Sequence, residues 1–163
     1  MKLFVMRHGE AASGTPDVKR PLDLTGQEEV SSIATWFESL LPRDEHALLK
    51  IVASPYDRAQ QTARIIARQL NVGDVMALPL ITPDAPVDTV IEWLAEYVVD
   101  ETPWLIVSHM PLVGDLVGRL VDGGSQARLP LGTADVVALE ADVWAAGCAT
   151  LKQHATPATV AAG

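Results

Sequence analysis

The sequence is poor in cysteine and in basic charge, and it contains no long apolar run. Its one cysteine, Cys148, cannot form an internal disulfide, which argues against a disulfide-stapled domain and favours a reducing compartment. Only 12 Lys and Arg residues stand against 21 Asp and Glu, giving a formal net charge of −9. No basic cluster is present, so binding to nucleic acid or to an anionic membrane surface is disfavoured.

No apolar stretch approaches the roughly 18 residues of a membrane span. Arg7-His8 interrupts the first apolar run after a few residues, which argues against a signal peptide. We therefore expect a cytoplasmic protein. The 163 residues, 48% of them hydrophobic, suffice for one core. We predict a single domain over residues 1–154, acting as a monomer, followed by a small-residue tail over 155–163.

Short apolar runs typical of strands alternate along the chain with apolar stripes at the three-and-four spacing of helices. We predict strands over 3–6, 48–53, 75–81 and 104–107, helices over 25–41, 54–70, 87–99 and 112–122, and a closing strand pair over 136–139 and 145–151. Strands and helices that alternate in this way predict an α/β fold, a three-layer αβα sandwich around a mostly parallel sheet.

Polar residues that could bind a ligand or act in catalysis follow three of these strands. Arg7-His8-Gly9 ends the first, the turn into Arg58 follows the second, and Ser108-His109 ends the fourth. The carboxyl ends of parallel strands share one edge of the sheet, and ligands of α/β proteins bind there. We expect Gly9 to let the backbone approach such a ligand.

The starts of two helices carry capping patterns. Residues 25–28, Thr-Gly-Gln-Glu, have the form of a capping box, and Ser54-Pro55 predicts an N-cap followed by a first-turn proline. Arg58 then falls in the first turn of its helix. A cation is disfavoured at that positive end of the helix dipole unless an anion binds there, so Arg58 is a candidate ligand contact.

Several chemistries could use two histidines among arginines. Zinc is disfavoured because the arginines repel a cation and no cysteine or carboxylate completes a shell. The sequence has neither a Walker loop nor a dinucleotide fingerprint, and Cys148 follows no phosphate-cradling loop. A phosphoryl group fits better, because guanidinium forks bind its oxygens and a neutral imidazole can attack phosphorus.

These residues also resemble a known family. Arg7-His8-Gly9, the segment Ser54 to Thr62 and Ser108-His109 are similar to the three signatures of the histidine phosphatase superfamily. Within it the chain looks most like the SixA-type phosphohistidine phosphatases, a likeness carried further by the segments 6–12, 20–26 and 108–114.

The resemblance implies roles for five residues. His8 would be the phosphorylated nucleophile, and His109 would be its catalytic partner and a further contact to the substrate. Arg7, Arg20 and Arg58 would bind the phosphoryl group, with Arg7 and Arg58 also acting in catalysis. The family chemistry implies no metal and no other cofactor.

Relatives that act on metabolites carry a glutamate proton donor in a longer insertion, which is missing from residues 80–84 here. Glu10 and Asp84 remain as possible donors. A short chain implies the histidine phosphatase fold without a large lid, and an open site that admits a phosphorylated protein. We therefore expect a phosphohistidine phosphatase acting on a phosphoprotein. The alternatives are a phosphatase of small phosphorylated metabolites and a phosphate-sensing protein without turnover.

Overall fold

A computed structural model describes residues 1–162 of the chain. The strands are β1 (Lys2–Arg7), β2 (Lys50–Ala53), β3 (Val75–Ala77), β4 (Trp104–Ser108), β5 (Val136–Glu140) and β6 (Thr150–Ala155). The helices are α1 (Leu24–Leu40), α2 (Asp57–Leu70), α3 (Val87–Tyr97), α4 (Leu112–Asp122) and α5 (Pro157–Ala162). Short 3-10 turns cover Asp17–Lys19, Arg43–Leu48 and Pro79–Ile81.

The six strands form one sheet in the order β3-β2-β4-β1-β5-β6. The pairs β2–β3, β2–β4 and β1–β4 are parallel, whereas β1–β5 and β5–β6 are antiparallel. β1 and β4 are central neighbours and are buried along nearly their whole length. The predicted α/β sandwich with a mostly parallel sheet is confirmed.

Helices cover both faces of the sheet. α1 and α2 pack on one face through apolar stripes that include Val30, Phe37 and Ile66. α3 and α4 pack on the other face around residues such as Leu94 and Leu116. The two apolar layers fix the direction of the central strands, and so fix where their carboxyl ends emerge.

The expected helix starts were wrong in two places. α1 is capped by Asp23, whose carboxylate accepts a hydrogen bond from the Gly26 N–H at 2.7 Å, so Thr25 lies inside the helix. α2 begins at Asp57, and Ser54 lies before its N-cap. In α1, Asp23 has the same capping chemistry as Thr25 and takes the N-cap position. In α2, Tyr56 takes the N-cap position with an extended backbone and without a side-chain cap.

The end of the chain also differs from the expectation. β6 covers Thr150–Ala155, so the predicted strand over 145–151 was placed too early, and Cys148 lies exposed before it. Ala155 is buried, and α5 packs against α1. The expected tail is therefore structured up to residue 162. Gly163 lies outside the described residues, and the domain boundary at residue 154 stays a prediction.

The connection between β3 and α3 spans only residues 78–86, where the 3-10 turn Pro79–Ile81 replaces the second half of the predicted strand over 75–81. This short segment confirms the expected absence of a large lid insertion. Within residues 1–162, no helix combines the length and apolar character that crossing a membrane requires.

Candidate active site

Two histidines meet at the carboxyl edge of the sheet because their strands are parallel neighbours. Arg7 at the end of β1 is in register with Ser108 at the end of β4, so the next residues, His8 and His109, emerge side by side. Their ring centroids are 5.0 Å apart, and both side chains are buried. The sheet topology therefore brings the two predicted histidines together.

The surroundings of His8 fix its tautomer. Its Nδ1 lies 2.7 Å from the carbonyl oxygen of Gly9, which can only accept a hydrogen bond, so Nδ1 carries the proton. Nε2 therefore has a free electron pair and accepts a hydrogen bond from Arg58 Nε at 3.3 Å. Burial, helped by the charge of Arg58 and opposed by the Gly9 bond, lowers the pKa of His8 to about 4. The imidazole is neutral at physiological pH.

His109 is also held neutral. Burial is the main reason that its pKa falls to about 3, with the nearby His8 and Arg58 adding to the effect. Its Nε2 lies 2.8 Å from the hydroxyl oxygen of Ser54, and its ring packs edge-on against Tyr56 at 4.8 Å between centroids. Its buried Nδ1 has no hydrogen-bond partner within residues 1–162. One ring nitrogen of His109 thus has no hydrogen-bond partner among the described residues.

Arg58 projects from the first turn of α2 towards His8, as the sequence predicted. The residue is only 6% exposed, and its guanidinium lies 4.9 Å from the centroid of the Tyr56 ring. Besides donating to His8, it donates from both terminal nitrogens to the carboxylate of Asp17. Arg58 therefore brings a desolvated fork of N–H donors to the histidine pair.

Arg7 directly precedes His8 at the end of β1, and its charge contributes to lowering the pKa of His8. Its Nη1 donates to the carbonyl of Leu131 at 2.9 Å, while its buried Nε has no partner in the described part of the chain. Burial lowers the pKa of the guanidinium, and the nearby carboxylate of Asp135 opposes that shift. A guanidinium stays charged in proteins, so Arg7 places a second partly unpaired cation beside the nucleophile candidate.

Arg20 reaches the site from the loop between β1 and α1. Its Nε donates to the carbonyl of Ala12 at 2.8 Å, and its Nη1 donates to Asp17 Oδ1 at 2.9 Å. Its charge contributes to lowering the pKa of His8. Arg20 joins the cluster through Asp17, which contacts Arg20 and Arg58 together. All five predicted site residues therefore lie at this edge.

The segment after β2 holds the site together through three side chains to which the sequence analysis had not given this role. Ser54, expected as an N-cap, is fully buried and hydrogen-bonds His109. Thr62 accepts a hydrogen bond from the Gly9 N–H at 3.0 Å and donates one to the Arg58 carbonyl at 2.7 Å. Gln61 accepts from the Leu22 N–H at 2.8 Å, which fastens the loop that carries Arg20.

Gly9 has a different reason for being glycine from the one expected. A Cβ atom there would lie 2.7 Å from a methyl carbon of Val30 and 3.1 Å from the carbonyl oxygen of Gly26, both in α1. The missing side chain allows α1 to pack closely against the end of β1.

A loop near the end of the chain supports the same strand end and was missed by the sequence analysis. Ala134 adopts a left-handed backbone with φ of 63°, and its N–H lies within hydrogen-bonding distance of the carbonyls of Arg7 and His8. The buried carboxylate of Asp135 follows, contacting His154 at 3.2 Å. Alanine in this conformation is rare, so no sequence pattern marks the loop.

The carboxylate nearest the arginines is Asp17, which the sequence analysis did not single out. The sequence signal that could have identified Asp17 is its position three residues before Arg20. The expected donors, Glu10 and Asp84, form no side-chain hydrogen bond or ion pair with the site residues within the described chain. No group of three or more potential metal ligands occurs within residues 1–162.

Comparison with known proteins gives the same picture. The family model of the histidine phosphatase superfamily (branch 1) matches residues 3–81. The chain is 34% identical over 126 residues to phosphohistidine phosphatase SixA of Escherichia coli strain K12, covering 76% of each protein. It is 34% identical over 127 residues to the SixA homolog of Haemophilus influenzae, covering 74% of this chain and 77% of the homolog.

A solved structure of the protein histidine phosphatase SixA complexed with tungstate superposes on nearly the whole chain. Its TM-score is 0.84 at 30% sequence identity, with 98% of this chain and 99% of that chain covered.

Proposed function

The chain belongs to the histidine phosphatase superfamily, and from that membership we propose that it is a phosphohistidine phosphatase that dephosphorylates histidine side chains of a phosphoprotein. The curated relatives at 34% identity bear the name phosphohistidine phosphatase SixA, and the likeness to a SixA structure extends over 98% of the chain. Both likenesses support the same reaction class.

One observation carries the proposal: His8 Nε2 carries no proton, and its electron pair accepts a hydrogen bond from Nε of the buried Arg58 at 3.3 Å. A nucleophile that attacks phosphorus needs that electron pair, and the three negatively charged oxygens of the phosphoryl group need cations. Arg7, Arg20 and Arg58 supply the cations around a single attacking nitrogen.

The proposed reaction has two displacements. In the first, His8 Nε2 forms a bond to phosphorus while the bond from phosphorus to the substrate's imidazole nitrogen breaks, and the electron pair of that bond leaves with the imidazole. In the second, a water oxygen forms a bond to phosphorus while the bond from phosphorus to His8 Nε2 breaks. The electron pair of that bond returns to Nε2, and inorganic phosphate leaves after the attacking water has lost a proton to solvent. The arginine forks hold the equatorial oxygens in both transition states, and His109 donates a further hydrogen bond to them.

The substrate class follows from two features. Within the described chain, the carboxylates of Glu10 and Asp84 form no hydrogen bond or ion pair with the histidine pair, which favours a leaving group that departs without an enzymatic proton. Phosphohistidine has such a leaving group, since its imidazole is protonated by water or before cleavage. The short connection over 78–86 also leaves room for a side chain presented by another protein.

We further propose that catalysis needs no metal, since the three guanidinium groups supply the charge that a metal would. A monomer suffices because all five proposed site residues come from one chain. The exposed thiol of Cys148 favours the reducing cytoplasm, and the net charge of −9 argues against a nucleic-acid partner.

The test is phosphate release from a phosphohistidine peptide, compared with release from glycerol phosphate, in the presence of a metal chelator. We expect rapid release from the peptide alone. His8→Ala should abolish release while the protein stays folded, and the matched control His46→Ala, which removes an imidazole at the end of α1, should retain it. Preferred cleavage of glycerol phosphate would favour a metabolite phosphatase, and phosphate binding without release would favour a sensor.

A further inference from the structure

The arginines proposed to bind the phosphoryl group already hold an anion, the carboxylate of Asp17. Arg20 Nη1 donates to Asp17 Oδ1 at 2.9 Å, and Arg58 Nη1 and Nη2 donate to Oδ1 and Oδ2 at 3.4 and 3.2 Å. One carboxylate therefore bridges two guanidinium groups. The Arg58 side chain is 7% exposed, whereas that of Asp17 is 56% exposed, so the carboxylate lies on the solvent side of the arginine pair.

This arrangement copies the contacts of a phosphoryl group. Carboxylate and phosphate are the two anions that a guanidinium fork binds through paired, parallel hydrogen bonds. The fork of Arg58 has three nitrogens. Nε faces His8, and both terminal nitrogens are occupied by Asp17. A phosphoryl group attacked by His8 needs those terminal N–H groups, so it and the Asp17 carboxylate compete for the same donors.

The Asp17 side chain lies in an exposed turn, where it can move away from the arginines without disturbing the core. Asp17 opens the 3-10 turn Asp17–Lys19, which contains no buried residue. Its backbone carbonyl accepts a separate hydrogen bond from Arg58 Nη1 at 2.8 Å. Rotation of the Asp17 side chain would therefore free the forks while the loop stays attached.

The Asp17 carboxylate also keeps its negative charge at physiological pH. Hydrogen bonds from Arg20, and then from Arg58, hold the pKa of the Asp17 carboxyl below its ordinary value. Competition from its negative charge therefore persists across the whole physiological range of pH.

We propose that Asp17 is a built-in competitor for the phosphoryl site, which holds Arg20 and Arg58 in the free enzyme and is displaced when a phosphoryl group binds. The inference rests on the proposed function, because it assumes that these arginines bind phosphate oxygens. Asp17 lowers the affinity for every oxyanion, including the product. It therefore reduces occupation of the site by inorganic phosphate, and a ligand binds only by displacing the carboxylate.

The test measures the binding of inorganic phosphate by calorimetry to the wild-type protein, to Asp17→Asn and to a charge-matched control, Asp57→Asn. Asparagine keeps the size of the side chain and removes its charge. Asp57 is an exposed carboxylate next to Arg58 in the sequence, so the control accounts for the general effect of removing one negative charge. Asp17→Ala serves as a second variant without any acceptor.

We expect phosphate to bind both Asp17 variants on the order of tenfold more tightly than the wild type, the effect of about 1.4 kcal/mol of competition. The phosphate affinity of Asp57→Asn should stay within about twofold of the wild-type value, because the exposed Asp57 charge is screened by solvent and salt. The KM for a phosphohistidine peptide should fall in Asp17→Asn, and inorganic phosphate should become a stronger inhibitor.

Equal or weaker phosphate binding by both Asp17 variants would overturn the inference and leave the proposed function standing, because phosphate would still bind. An equal gain in Asp57→Asn would also overturn it, since charge alone would then explain the effect. Absence of phosphate binding and of turnover in every protein would instead overturn the proposed function itself.

Discussion

At the residue scale, the proposed chemistry depends on an imidazole, that of His8, which stays neutral, and the three nearby arginines favour that state. Protonated His8 would have no electron pair on Nε2 for attack on phosphorus. Burial and the neighbouring guanidinium charges both disfavour the protonated form, while the Gly9 carbonyl orients the ring. The same arginines that we propose to bind the phosphoryl group thus also keep the proposed nucleophile neutral.

A titration followed by NMR tests this state directly. The pKa values of His8 and His109, about 4 and about 3, lie below the range of this titration. Their imidazole resonances should therefore not shift between about pH 5.5 and 8. A midpoint for His8 near 6.5, the ordinary value, would contradict the proposed neutral state.

The same lowered pKa values affect stability. Between pH 6.5 and about 4 the unfolded chain takes up protons at His8 and His109, whereas the folded protein does not. The unfolded state then binds more protons, so the free energy of unfolding falls as pH decreases through this window. The loss is at most about 1.4 kcal/mol per pH unit for each histidine. Urea denaturation of the wild type and of His8→Gln should show a shallower dependence in the variant.

Replacing Arg58 by lysine separates charge from geometry. Arg58→Lys keeps a cation but loses the fork that contacts His8 and faces the phosphoryl oxygens, so kcat/KM should fall on the order of a hundredfold. Arg64→Lys is the matched control, because Arg64 is an exposed arginine in the same helix. Wild-type kinetics in Arg58→Lys would mean that the site needs only a positive charge.

At the element scale, the turn after β2 and the amino-terminal turns of α2 together join three separate parts of the chain. Thr62 links the Gly9 N–H to the Arg58 carbonyl, Gln61 fastens the loop at Leu22, and Ser54 holds His109. The helix therefore acts as the support against which both histidine strands and the Arg20 loop are aligned.

Thr62→Val preserves the shape of this buried side chain and removes its hydroxyl. The Gly9 N–H would lose its partner, so the free energy of unfolding should fall by about 1–3 kcal/mol. We also expect kcat to fall, because Gly9 orients His8. Thr35→Val is the control: its hydroxyl makes the same bond to a carbonyl four residues back, but on the exposed face of α1. Urea denaturation of both variants measures the difference, and an equal, small loss would contradict the supporting role.

The elements themselves were largely predictable from the sequence, because apolar spacing along α1, α2 and α4 reflects the same layers that the structure buries. Their ends were less so. Asp23 and Thr25 both have capping chemistry, and only the packing of Gly26 against the Glu10 backbone decides between them. Local patterns cannot encode a choice made by a distant contact.

At the scale of the whole molecule, the parallel sheet explains why three motifs far apart in the sequence form one site. His8 and His109 were predictable as residues of one edge because the carboxyl ends of parallel strands meet there. That β1 and β4 are direct neighbours is seen only in the structure. Asp17 and the 131–135 loop were not predictable, since loop paths carry no periodicity. Asp17 is recognisable only after folding places Arg58 beside the loop that it shares with Arg20.

The short connection between β3 and α3 has a consequence for substrate range. Without a lid that carries a proton donor, leaving groups that need protonation should react about a hundredfold to ten-thousandfold more slowly. Rates for phosphate esters of rising alcohol pKa should therefore fall steeply, with phosphoramidates and activated aryl phosphates cleaved well. A flat series, with alkyl esters as fast as a phosphohistidine peptide, would reveal a donor and favour the metabolite phosphatase.

The central claim is that His8 becomes covalently phosphorylated, and trapping the intermediate tests it most directly. The protein is mixed with ³²P-labelled phosphoramidate, quenched in alkali during the first turnover, and the labelled peptide is identified. We predict label on the imidazole of His8, lost on acid treatment, absent from His8→Ala and retained in His46→Ala. Release of phosphate without any labelled protein, or label on His109 instead, would contradict the account.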